Sequence, residues 1–69
     1  MPVITVNMVQ GRSLALRQKL MKELTATAAE CLDVDPQTIR VLLTEIPAHH
    51  WSVGGIAKAP APPEDDDMQ

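Results

Sequence analysis

Apolar residues recur every three or four positions along Leu16, Leu20, Met21, Leu24, Ala28, Cys31 and Leu32, and this stripe lies between two short segments of strand character. The spacing predicts an amphipathic helix over about residues 14–32, with Arg17, Gln18, Lys22, Glu23 and Thr25 mostly on its other faces. Ser13 is a good N-cap, its hydroxyl able to satisfy N–H groups orphaned in the first turn. Asp33-Val34-Asp35-Pro36 ends the helix, because proline cannot continue the hydrogen-bonded ladder, and Asp35 can cap a short turn through Thr38. Ahead of the helix, Val3-Ile4-Thr5-Val6-Asn7-Met8 alternates as a strand does; Gln10-Gly11-Arg12 then makes a turn. Behind it, Ile39 to Ile46 forms a near-continuous apolar run, which suits a strand covered on both faces or lying at an interface. Strand, helix and strand within about 46 residues make a βαβ unit of class α/β, with parallel strands and a right-handed crossover. After Pro47, the loop Ala48-His49-His50-Trp51-Ser52-Val53-Gly54-Gly55 predicts a tight turn or small C-terminal hairpin.

Size decides the next point. A chain of 69 residues makes one domain, and at this length only about 60% of the unfolded surface is buried. The usual reinforcements are missing: the single Cys31 cannot form an internal disulfide, and no Cys/His spacing suggests structural zinc. There is no Phe or Tyr and one Trp. Yet 45% of the residues are hydrophobic and clearly periodic, which argues against disorder. The remaining solution is an obligate oligomer in which subunits complete each other's cores. A two-stranded unit leaves one sheet face and both edges uncovered, so two copies joined edge to edge, and such dimers stacked, are the expected assembly.

The formal charge of −3 comes from the end of the chain, where Glu64, Asp65, Asp66 and Asp67 supply four of nine acids. Without them six basic groups face five acidic ones, a balance with no polyanion-binding stripe, so no nucleic-acid partner is expected. No stretch approaches the roughly 20 apolar residues of a membrane span. No signal peptide is evident, and a cytoplasmic protein with a reduced thiol fits best. The ordered domain is expected over residues 1–58. Residues 59–69, rich in Pro, Ala and acid, are expected to be a flexible solubilising tail rather than a metal site.

Pro2 carries the chemical signal. Trimming of the initiator methionine makes it a free secondary amine at the start of a strand, held rigidly by the sheet. An unperturbed α-amino group titrates at about 7.7–8.0, and burial or nearby cations lower that toward a general base poised at neutral pH. The structural alternative is a proline that simply begins an edge strand, where a missing N–H costs nothing. Arg12 and Arg40 taken singly read as solvated charges, and Trp51 as a packing anchor. His49 and His50 read as solvated loop residues, Cys31 as a core residue and Glu45 as structural.

Taken together, Met-Pro, the first strand, Gly11-Arg12-Ser13, the helix, Ile39-Arg40-Val41, Thr44-Glu45 and Trp51-Ser52-Val53-Gly54-Gly55 resemble the 4-oxalocrotonate tautomerase family. The resemblance runs from Pro2 to about Gly55. It implies the tautomerase/MIF-like fold, a small βαβ subunit usually assembled as a hexamer, and a 2-hydroxymuconate tautomerase type of activity without metal or organic cofactor. Family roles carry over to four positions. Pro2 matches the proline that shuttles the proton. Arg12 matches an arginine binding the distal carboxylate of a dicarboxylate substrate, and Arg40 one binding the other carboxylate and the adjacent oxygen. Trp51 stands where the family usually has phenylalanine, an apolar wall that helps keep the proline's pKa low. Neighbouring subunits contribute the arginines in such hexamers, here expected to be homo-hexamers.

The implied chemistry suits these residue types. A dienol becoming a conjugated enone loses a proton at one atom and gains one at another, and a base with a pKa near 7 both accepts and returns it readily. Negative charge develops on oxygen as the proton moves, where a guanidinium stabilises it. Two planar forks gripping two carboxylates fix the carbon skeleton against the proline. Two other readings stand beside this one. A halo-acrylate dehalogenase or hydratase would need a second arginine near the end of the first strand and a glutamate after the second, where this chain has Met8, Val9 and Val53. A non-catalytic subunit of a hetero-oligomer would contribute arginines and structure alone.

Overall fold

Two seven-residue strands, β1 (Val3–Val9) and β2 (Arg40–Ile46), lie side by side and parallel, joined by the 19-residue helix α1 (Leu14–Leu32). This is a computed structural model, and it describes residues 1–59. The ladder runs in one register from Val3 opposite Arg40 to Val9 opposite Ile46, and the Gln10 N–H extends it to the Ile46 carbonyl at 2.9 Å. A 3₁₀ turn (Pro36–Thr38) precedes β2 and another (Ala48–His50) follows it. A two-residue antiparallel pair, β3 (Ser52–Val53) and β4 (Ile56–Ala57), then closes around Gly54-Gly55. Both turn glycines have positive φ, 63° and 85°, the combination a tight primed hairpin turn requires. The expected C-terminal hairpin is therefore present. All but the first residue of the expected tail lies outside the described residues.

The local signals explain these boundaries. The Ser13 hydroxyl accepts from the Leu16 N–H at 3.2 Å, the capping its position predicts. Asp33 ends the helix in the left-handed region, φ 53°, with its N–H donating to the Ala29 carbonyl. The Asp35 carboxylate accepts from the Gln37 N–H at 2.9 Å, which starts the following 3₁₀ turn.

Alternation along the strands defines two faces. Ile4, Val6, Met8, Val41, Leu43 and Glu45 are half-buried on the helix side, whereas Val3, Thr5, Asn7, Arg40, Leu42 and Thr44 are exposed on the other. The covered part of α1 comprises Leu20, Met21, Leu24, Thr25, Ala28 and Ala29, with Arg17 half-buried at one end. Three expectations need correction here. Cys31, expected in the core, is exposed, and so are Leu16 and Leu32 of the predicted stripe. Arg17 and Thr25, expected on outer faces, are partly covered. The reason is geometric: a helix of 19 residues is about 28 Å long, whereas seven-residue strands extend about 23 Å. The helix overhangs the sheet, leaving its ends in the open, and its covered face turns toward Thr25 and Ala29.

The core of one chain is thin. Among the described residues only Ala29 and Ile39 are buried, at 8% and 7% exposure. Leu42 on the open sheet face is 55% exposed, and Val53 and Ile56 on the hairpin 77% each. These are apolar surfaces that water disfavours and that a lone chain leaves uncovered.

Candidate active site

Pro2 and Arg40 meet where the two strands begin. The Arg40 N–H donates to the Pro2 carbonyl at 3.0 Å, so the parallel ladder itself sets the arginine beside the proline. Pro2 is half-buried. With Met1 attached its nitrogen is an amide and carries no basic lone pair; Met1 is 82% exposed. The Arg40 side chain lies on the open sheet face, and one of its guanidinium nitrogens donates to the carbonyls of Gln37 at 2.9 Å and Ile39 at 3.5 Å.

Arg12 belongs to the other end. It follows Gly11, whose φ of 133° strains any residue with a side chain, and precedes the N-cap Ser13. Its side chain is exposed and makes no hydrogen bond to a described residue. Trp51 follows β2 by five residues, three of them in the tight 3₁₀ turn. Such a segment extends at most about 13 Å, too short to return along the roughly 23 Å of the sheet. Trp51 is half-buried, with its N–H donating to the Ala48 carbonyl at 3.2 Å and its carbonyl accepting from the Lys58 N–H at 2.7 Å.

The four candidate residues thus form two groups at opposite ends of one βαβ unit: Pro2 with Arg40, and Arg12 with the Trp51 loop. Among the described residues no enclosed pocket and no cluster of His, Cys, Asp or Glu suited to a metal exists. His50 is exposed and His49 half-buried, their rings edge to face with centroids 4.3 Å apart. A dicarboxylate only a few carbons long cannot bridge the two groups within a single chain.

Sequence reading passed over one interaction near Arg12. The Arg17 guanidinium pairs with the Glu45 carboxylate, joining the first turns of α1 to the end of β2, both side chains being partly buried. A signal was available. Alternation turns Glu45 to the same face as Val41 and Leu43, and a carboxylate facing a helix calls for a cation on that helix.

Known proteins agree with this architecture. The family model for tautomerase enzymes matches residues 2–59. A probable tautomerase of Ralstonia nicotianae is 37% identical over 67 residues, 94% of this chain and 96% of that protein. A 2-hydroxymuconate tautomerase of a Pseudomonas species is 31% identical over 55 residues, 80% of this chain and 87% of that one. Among solved structures, a heterohexameric 4-oxalocrotonate tautomerase from Chloroflexus aurantiacus superposes with a TM-score of 0.80 at 36% identity, over 84% of this chain and 94% of that one. TomN, a 4-oxalocrotonate tautomerase homologue of the tomaymycin biosynthetic pathway, does so with a TM-score of 0.80 at 37% identity, over 83% and 88%. With a family match across its described fold and relatives of this identity, the chain belongs to the tautomerase family, and its enzyme class is that of an isomerase.

Proposed function

We propose that this tautomerase converts a dienol dicarboxylate such as 2-hydroxymuconate to its conjugated enone, using Pro2, freed by removal of Met1, as general base. The observation that carries the reading is the hydrogen bond from the Arg40 N–H to the Pro2 carbonyl, which supports a base held rigidly at the sheet end where an arginine also stands. In this reading the amine takes the enol proton and returns it to carbon, while the Arg40 guanidinium stabilises the charge that grows on oxygen. Arg12 grips the far carboxylate and Trp51 walls the site. The reaction needs no cofactor. The wide spacing of the two residue groups supports sites shared between subunits, and the bare apolar surfaces of the sheet and hairpin support a homo-hexamer. No helix among the described residues is long and apolar enough to cross a membrane. A cytoplasmic enzyme of aromatic-compound breakdown is the setting that fits this substrate and the free Cys31 thiol.

The test is the pH dependence of 2-hydroxymuconate ketonisation, followed by ultraviolet absorbance on protein whose mass verifies loss of Met1. The expected result is turnover with an ascending limb below about 7.7, reduced about 100-fold or more in Pro2→Ala. Absence of turnover from processed protein overturns the reading. One relative's heterohexameric assembly favours a second reading, in which this chain is one of two kinds of subunit. Full activity of a homogeneous hexamer made from this chain alone eliminates it.

A further inference from the structure

We propose that the Arg17–Glu45 pair is a positioning device for Arg12, and through it a determinant of preference for dicarboxylate over monocarboxylate substrates. The inference rests on the reading of Arg12 as the ligand of the distal carboxylate. Arg12 has no partner of its own among the described residues, so its placement depends on the turn that carries it. That turn is pinned on both sides. Before it, the Gln10 N–H is bonded to the Ile46 carbonyl at 2.9 Å. After it, the Ser13 carbonyl accepts from the Arg17 backbone N–H at 3.1 Å and from the Arg17 Nε at 3.4 Å. The same guanidinium pairs with Glu45, the residue immediately before Ile46. One side chain therefore ties the far end of the turn to the strand end that holds the near end. Between the two anchors stands Gly11, where no atom beyond its chain neighbours lies within 4 Å of a Cβ position, so side-chain packing does not brace the turn at that point. Partly exposed ion pairs contribute little to stability, which leaves placement of Arg12 as the consequence with most leverage on function. A misplacement of about 1 Å far from the reacting atoms is enough to weaken substrate positioning markedly.

The experiment compares steady-state constants for 2-hydroxymuconate, with two carboxylates, and phenylenolpyruvate, with one, in the processed full chain and its variants. In Arg17→Met and Glu45→Gln, KM for 2-hydroxymuconate is expected to rise about 5- to 10-fold with kcat within about twofold. Phenylenolpyruvate constants are expected to stay within about twofold. Arg17→Lys, which keeps a cation opposite Glu45, is expected to restore most of the preference. Because Glu45→Gln keeps the size and shape of the side chain while removing its charge and one acceptor oxygen, it remains readable should Arg17→Met fail to fold. Equal changes for both substrates, or none, overturn the proposal. Arg12→Ala separates the two levels. If it leaves the dicarboxylate preference intact, the reading of Arg12 fails and this inference with it. If Arg12→Ala abolishes the preference while the pair variants retain it, the positioning role alone is wrong.

Discussion

At Pro2 one residue meets two separate demands. Its carbonyl serves the sheet by accepting from Arg40, and its ring needs no N–H immediately before the first strand. Its nitrogen is chemically idle as long as Met1 is attached. Full-length protein made with Met1 retained should therefore lack ketonisation activity while keeping the same circular dichroism spectrum as the processed form. Equal activity of the two forms would remove Pro2 from the mechanism. Arg40 permits a sharper test of charge against shape. Replacing it by lysine keeps the cation but not the planar fork, and kcat/KM for 2-hydroxymuconate should fall about 10- to 100-fold if bidentate contact matters. A value unchanged in Arg40→Lys would mean that a point charge suffices there.

The elements form where local signals agree, and their ends are the easiest places to perturb. Ser13→Ala removes the N-cap acceptor for the Leu16 N–H, and should destabilise the protein by about 1 kcal/mol in urea unfolding. Asp33 is the opposite case, a residue with a side chain in the left-handed conformation that ends α1. Asp33→Gly relieves that conformation and should stabilise by about 0.5–1 kcal/mol, read as a higher melting temperature. A lower one would show that the Asp33 side chain contributes something the backbone angles do not. The strands, helix limits, Asp35 turn and hairpin were all legible from period and punctuation. The covered face of the helix was not, because it depends on how far a 19-residue helix overhangs seven-residue strands. That overhang is what leaves Cys31 in the open.

For the molecule as a whole, the thin core and the open sheet face make assembly the property to test. Leu42 lies in the middle of that face and Val53 and Ile56 at the hairpin tip, all exposed in one chain. A charge placed at any of them would have to be desolvated in a subunit interface. If the proposed hexamer forms, Leu42→Asp and Val53→Asp should therefore shift sedimentation toward smaller species. If the site is shared as proposed, they should also abolish activity, because within one chain the Pro2 group and the Arg12 group lie at opposite ends of the sheet. Retained hexamer and full turnover in both variants would mean that these surfaces remain free.

By itself the sequence determined the elements, their order and parallel pairing, since hydrophobic period, caps and connection length act over short distances along the chain. It also supplied the four candidate site residues, through a resemblance carried by motifs at matching distances. What only the tertiary structure decided was their grouping. The parallel ladder brings Pro2 beside Arg40, and the length of β1 keeps Arg12 and the Trp51 loop at the far end. The Arg17–Glu45 contact belongs to the same level, because it spans 28 residues of chain and exists only once the helix has packed on the strands. Alternation turns Glu45 toward the helix, but which cation of the helix meets it depends on how the two elements pack in space.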